Sequence, residues 1–129
     1  AIYRKRGWAY RAAIIVERIA DARSFAELVA TEGPRAPWAA VGAVIGRFHR
    51  QCAHHADLNA NNILIGLGDV VCLIDWDKGR MEATQGPWCR RVLDRLQRSL
   101  LKECKNMTGE VIEAGMGQLR AAHDRELAA

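Results

Sequence analysis

Long apolar runs, paired cysteines and aromatic residues are all scarce in this sequence, and each shortage excludes something. Its longest nearly apolar stretch, Ala39 to Gly46, is far shorter than the roughly 20 residues a membrane-spanning helix needs. The opening, Ala1-Ile-Tyr-Arg-Lys-Arg6, lacks the apolar centre of a secretory leader. The first residue is not Met, which suits a processed product or a piece of a longer chain. The four cysteines, Cys52, Cys72, Cys89 and Cys104, include no Cys-x-x-Cys pair. Cys52 with His54 and His55 begins a zinc-like set but has no neighbouring fourth ligand, so buried cytosolic thiols are the expectation. No internal repeat or low-complexity stretch is present. Aromatic residues make up 6% of the chain and do not alternate with basic ones as on a nucleic-acid surface, so no nucleic-acid partner is expected.

What remains is ordinary globular composition: 129 residues, 50% hydrophobic, 26% charged, net charge +4. A single domain of this length buries roughly two-thirds of the surface of its unfolded chain and needs no disulfide to do so. The charge is segregated. Residues 1–50 hold nine basic and four acidic side chains, and residues 51–89 hold two and five. Residues 90–105 return to six and two, and residues 106–129 end with two and four. An acidic middle between basic segments suits a metal-binding centre that meets an anionic ligand.

Periodicity places the elements. Residues 2–6 and 9–17 read as two strands about Gly7, the second carrying Ile14, Ile15 and Val16. Ser24-Phe-Ala-Glu27 has the form of a capping box and opens a short helix to about Ala30, which Gly33-Pro34 breaks. Pro37 suits the first turn of a second helix to about Cys52, with Trp38, Val41, Val44, Ile45 and Phe48 on its apolar face. Gly42 and Gly46 within it permit close packing. Residues 62–65 and 70–74 are short apolar strands joined by the turn Gly66-Leu-Gly-Asp69. Residues 88–104 form a helix with Trp88, Val92, Leu93, Leu96 and Leu100 inward and Arg91, Arg95, Arg98 and Lys102 outward. Thr108 caps a last helix to about Leu127, with Val111, Ile112, Met116 and Leu119 buried.

Oxygen-bearing side chains collect at the ends of the central hairpin: Asp57, Asn59, Asn61 and Asn62 before it, Asp75 and Asp77 after it. Phosphoryl transfer needs a carboxylate to accept the acceptor hydroxyl's proton and hard oxygen ligands for Mg²⁺ on the phosphates. Asp57 and Asn62, five apart on one loop, with Asp75 at the end of the adjacent strand, suit those tasks.

His55-Ala-Asp57-Leu-Asn-Ala-Asn-Asn62 matches the kinase catalytic loop H-x-D-L-x-x-x-N at all four fixed positions, and Ile74-Asp75-Trp76-Asp77 stands where the Asp-Phe-Gly element belongs. With Leu73-Ile-Asp-Trp-Asp-Lys-Gly-Arg80, Arg95-Leu-Gln-Arg-Ser-Leu100, Lys102 and Ile45-Gly-Arg-Phe-His49, the chain resembles the lipopolysaccharide kinases that phosphorylate 3-deoxy-D-manno-octulosonic acid (Kdo). The resemblance covers most of residues 8–104. It implies ATP-dependent transfer to the 4-hydroxyl of Kdo on a lipid A precursor, at the cytoplasmic face of the inner membrane. By that resemblance Asp57 is the catalytic base, His55 braces the loop, and Asn62 and Asp75 hold Mg²⁺ against the ATP phosphates. Backbone groups of Glu17 and Ile19, at the hinge, meet adenine. At Asn59 protein kinases carry a Lys that assists the transferred phosphate. Asn59 and Lys78 are placed on the nucleotide's side, and because Asn is uncharged the help of that Lys either comes from elsewhere or is absent. Lys78 and Arg80 suit phosphate or the sugar carboxylate, and equally suit solvent after a turn. Asp77 either assists the metal or fixes the turn.

The implied fold is α+β, a protein-kinase-like C-terminal lobe with a short catalytic hairpin and remnant strands of the N-terminal lobe. Residues 1–19 are those strands and the hinge, and residues 20–129 are the lobe. The glycine-rich hairpin, strand lysine and helix glutamate of a complete N-terminal lobe are not identifiable, and Gly66-Leu-Gly68 and Gly115-Met-Gly117 do not fit G-x-G-x-x-G. The outward basic face of residues 88–104 suits solvent or an anionic membrane surface, where each Lys or Arg is worth up to about 1 kcal/mol. His49, His54 and His123 have no partners at meaningful spacing and read as structural or exposed. Trp8, Trp38, Trp76 and Trp88 read as core anchors, with Trp76 flanking the site. Two further classes share these features: a small-molecule phosphotransferase of the aminoglycoside or choline kinase type, and a non-catalytic pseudokinase-like scaffold.

Overall fold

A computed structural model describes residues 21–129, which form an α+β unit of four helices and five short strands. The expected strands over residues 2–6 and 9–17, the hinge positions Glu17 and Ile19, and Trp8 lie outside the described residues.

Strand β1 (Arg23–Ser24) runs directly into helix α1 (Phe25–Glu32). Ser24 caps that helix by accepting from the Glu27 backbone N–H at 3.1 Å. Glu27 itself turns to Arg23, with Nε and Oε1 3.4 Å apart. Gly33, at φ +55°, ends the helix in a left-handed conformation that a side chain would strain, and a 3₁₀ turn (Gly33–Arg35) follows. Helix α2 (Trp38–Arg50) starts one residue after Pro37, and the Trp38 indole donates to the Gly33 carbonyl at 3.0 Å.

Strand β2 (Ala53–His54) leads to the loop, then β3 (Ile63–Ile65), a 3₁₀ turn (Leu67–Asp69), and β4 (Val71–Leu73). The hairpin β3–β4 pairs Ile63 with Leu73, Leu64 with Cys72 and Ile65 with Val71, and β1 adds to its far edge antiparallel. Strand β5 (Arg80–Met81) pairs with β2, His54 opposite Arg80. Helices α3 (Pro87–Glu103) and α4 (Gly109–Ala128) complete the chain. Thr108 caps α4 by accepting from the Val111 N–H at 3.3 Å.

The core joins all four helices to the hairpin. Trp38, Phe25, Ile45, Leu58, Ile63, Leu96, Leu100, Ile112, Met116 and Leu119 are its largest fully buried side chains, apart from two valines. Helices α2 and α4 run side by side in the same direction, because contacts advance together along both. Gly115 lies under the Trp38 ring, Gly42 against the Leu119 backbone, Gly46 against the His123 backbone. A Cβ at any of the three would collide, so the expected packing role of Gly42 and Gly46 is what the structure assigns them. Trp38, Trp76 and Trp88 are all buried, as are Cys72, Cys89 and Cys104, whose thiol pKa values burial pushes up.

Three histidines need correction. His49, His54 and His123 are buried, as structural residues should be, but they have partners. His123 Nδ1 lies 2.9 Å from Asp124 Oδ1, and its Nε2 lies 2.7 Å from His49 Nδ1. His54 Nδ1 lies 3.2 Å from Glu82 Oε2 and stacks on Trp88 at 4.7 Å. The partners stand 74 and 28 residues apart in sequence, beyond any spacing rule.

Candidate active site

The loop between β2 and β3 is shaped almost wholly by hydrogen bonds. Asn59 Oδ1 accepts from the Asn61 N–H at 2.9 Å, closing a side-chain turn, and the Asn62 N–H donates to the Asn59 carbonyl at 3.0 Å. Asn62 Nδ2 donates to the Asp57 carbonyl at 2.9 Å, with Asn59 Nδ2 at 3.4 Å from the same oxygen. Both ends of the Asn59 amide are thus committed within the loop. Asn62 is buried and spends its nitrogen on the loop, so Oδ1 is the atom that could meet a cation.

His55 couples this loop to the following strand. The Asp57 N–H donates to His55 Nδ1 at 3.2 Å, so Nδ1 is unprotonated, and Nε2–H donates to the Ile74 carbonyl at 2.7 Å. Only the neutral ring satisfies both bonds. Burial, the largest influence, lowers the His55 pKa against the opposing pull of the Ile74 carbonyl, Asp75 and Asp57. The Trp76 ring packs against His55 at 4.7 Å and donates from Nε1 to the Leu73 carbonyl at 2.9 Å. Gly79 accommodates that ring, since a Cβ there would come within 2.7 Å of Trp76 Cε3.

Asp75 follows at φ +64°, a left-handed conformation that Asp tolerates better than most residues. The preceding residue is tied to the loop, because the Ile74 N–H donates to the Asn62 carbonyl at 2.9 Å. Asn62 and Asp75 are therefore brought to one place from two elements, and Asp75 is exposed. One carboxylate and one amide oxygen fit Mg²⁺, which keeps several waters and takes phosphate oxygens for the rest. Among the described residues no group of three or more His, Cys, Asp or Glu side chains would hold a metal by itself.

Asp57 opens outward, its side chain 41% exposed, and its Oδ1 meets Arg95 Nη2 at 2.9 Å. Arg95 was expected on the outward basic face of its helix. It is partly exposed there, but it points at the loop. Ser99, one turn further along α3, accepts from the buried Ala60 N–H at 2.9 Å. Sequence reasoning missed both contacts. The signal was their i, i+4 spacing on one helix face beside Leu96 and Leu100, two of the fully buried residues.

Asp77, Lys78 and Arg80 are exposed, and Arg80 Nε lies 3.5 Å from Glu82 Oε1. Glu82, also unanticipated, holds His54 and Arg80 and donates its backbone N–H to the Cys52 carbonyl at 2.8 Å, anchoring the segment after Asp75 to β2. No helix among the described residues is long and apolar enough to cross a membrane.

Comparisons with known proteins match nearly the whole chain. Several curated relatives bear the name 3-deoxy-D-manno-octulosonic acid kinase. That of Xanthomonas axonopodis pv. citri (strain 306) is 43% identical over 124 residues, covering 96% of this chain and 50% of the relative. Those of Xanthomonas oryzae pv. oryzae (strain PXO99A) and Stenotrophomonas maltophilia (strain K279a) are each 42% identical with the same coverage. The chain spans about half the length of the curated relatives it matches. A family model described as lipopolysaccharide kinase (Kdo/WaaP) matches residues 1–122. With that match running over nearly the whole chain, the chain belongs to the lipopolysaccharide kinase (Kdo/WaaP) family.

Proposed function

We propose that this chain carries the catalytic half of an ATP-dependent kinase that phosphorylates the 4-hydroxyl of Kdo on a lipid A precursor during lipopolysaccharide core assembly. The reading makes residues 20–129 a protein-kinase-like C-terminal lobe, with residues 1–19 as strands and hinge of the other lobe. The observation that carries it is the half-exposed Asp57 carboxylate on a loop locked by His55 and Asn62 to the strand that delivers Asp75.

In this reaction the acceptor hydroxyl oxygen forms a bond to the γ-phosphorus, the bond to the β–γ bridging oxygen breaks, and ADP leaves. Asp57 takes the hydroxyl proton. His55 stays neutral and holds the Asp57 backbone through Nδ1. Asn62 and Asp75 would hold Mg²⁺, which supplies positive charge to the ATP phosphates. Asn59 contributes through the shape of the loop, Lys78 lies on the phosphate side, and Glu17 and Ile19 offer backbone groups to adenine. Work at the cytoplasmic face of the inner membrane, as a peripheral protein on an anionic surface, follows from the lipid nature of the acceptor.

The test is phosphate transfer from Mg-ATP to a Kdo-bearing lipid A precursor by the gene's complete product, read by product mass. The expected product is heavier by one phosphate, placed on Kdo. A folded protein that binds Mg-ATP but transfers to another hydroxyl compound would make it a different small-molecule phosphotransferase. A folded protein with no thermal shift on Mg-ATP would make it a scaffold. The 129-residue chain by itself is expected to transfer little phosphate, since the glycine-rich hairpin and its lysine are not identifiable in it.

A further inference from the structure

Residues 51–77 contain no Lys and no Arg, so the loop bearing Asp57 and the hairpin bearing Asp75 bring no permanent cation of their own. They bring Asp57, Asp75 and Asp77, with Asp69 at the far turn of the hairpin. His55, the one titratable base against Asp57, is held neutral by its two hydrogen bonds. A base set among like charges, awaiting an anionic phosphoryl group, needs a positive charge to hold it and to offset the repulsion. That charge arrives from helix α3.

Arg95 Nη2 meets Asp57 Oδ1 at 2.9 Å, and Ser99 receives the Ala60 N–H at 2.9 Å one turn further on. The helix is thereby registered against the loop at two points, and the buried Leu96 and Leu100 fix its rotation. An ion pair whose members are 53% and 41% exposed contributes little to folding, so stability does not account for it. The contact engages Oδ1 and leaves Oδ2 as the oxygen that can take a proton. Resting on the phosphotransfer reading above, we infer that Arg95 is a positioning residue for the transfer. It supplies from α3 the positive charge that the loop lacks at Asn59, and it holds the Asp57 carboxylate with one oxygen toward the acceptor hydroxyl.

The test is steady-state kinetics of the gene's complete product with Mg-ATP and the Kdo-bearing lipid A precursor. Arg95→Met, which keeps bulk and loses charge, is expected to lower kcat about fiftyfold while KM for ATP stays within about threefold and the melting temperature is unchanged. Arg95→Lys, which restores charge without the planar fork, is expected within about fivefold of the parent kcat. An Arg95→Met enzyme that keeps its kcat within about threefold overturns the inference. If Arg95→Met folds poorly, Arg95→Lys decides alone, and a loss beyond about twentyfold in that folded variant overturns it. A parent enzyme that transfers no phosphate overturns the phosphotransfer reading and this inference with it, so the two failures are told apart by the parent's own turnover.

Discussion

At the crossing of α2 and α4, glycines let backbone meet backbone or ring, whereas between His55 and Asn62 nearly every constraint is a hydrogen bond. Gly42 and Gly46 bring α2 onto the Leu119 and His123 backbones, and Gly115 seats the Trp38 ring. Shape decides that region, and it has no room to adjust. The loop has only Leu58 and Ala60 in the apolar core, and its form comes from His55, Asn59, Asn62 and Ser99. Such a loop keeps its polar atoms aimed and its carboxylate at the surface.

The contrast can be broken most strongly at the crossing. Gly42→Ala puts a Cβ into the Leu119 carbonyl, where no flexible side chain can yield, and is expected to cost about 3 kcal/mol of stability. A denaturant midpoint equal to that of the parent would show that the helices can part there without loss.

Acid acts on the same crossing. Burial, assisted by His123 and His54, lowers the His49 pKa from 6.5 to about 3. Because the folded-state pKa is depressed, the stabilising contribution is complete above pH 6.5. It is lost progressively as the unfolded chain takes up a proton the folded chain refuses, down to about pH 3. Lowering the pH from 7 to 5 should therefore remove about 2 kcal/mol, and the lowered pKa of His55 acts in the same direction. Urea midpoints that do not move over that interval would contradict a buried, neutral His49.

At the loop the effects are smaller in stability and larger in chemistry. Ser99→Ala leaves the buried Ala60 N–H without its partner, with an expected cost of about 1 kcal/mol and a several-fold loss of turnover. Unchanged values of both would place Ser99 outside the loop's support. Smallest is Gly117→Ala, on the same helix as Gly115 but with open space around its missing Cβ. It is expected to stabilise by about 0.5 kcal/mol, measured by the same urea titration. A loss there as large as at Gly42 would refute the assignment of the crossing to specific glycines.

These regions also differ in how far the sequence discloses them. Helix α1 was legible from Ser24 and Gly33, α4 from Thr108, and the hairpin from the apolar runs about Gly66-Leu-Gly-Asp69, because caps and turns are local chemistry. His55, Asp57, Asn62 and Asp75 stand out in the sequence by their spacing, and the structure links their backbones through the His55 ring and the Ile74 N–H. The partners were not. His49 with His123, His54 with Glu82 and Arg95 with Asp57 depend on how the helices settle, and no local pattern encodes a contact made across 74, 28 or 38 residues. Gly42 and Gly46 announced a close approach without naming Leu119 or His123 as its other side.

The most direct test of the loop's role is the turnover of Asp57→Asn in the gene's complete product, measured by phosphorylated Kdo-lipid product alongside circular dichroism and melting temperature. The variant keeps the shape of the side chain and removes its ability to take the proton. A fall of about a thousandfold or more with an unchanged melting temperature is the predicted result. Near-normal turnover by the folded variant would contradict it and remove Asp57 from the role of base.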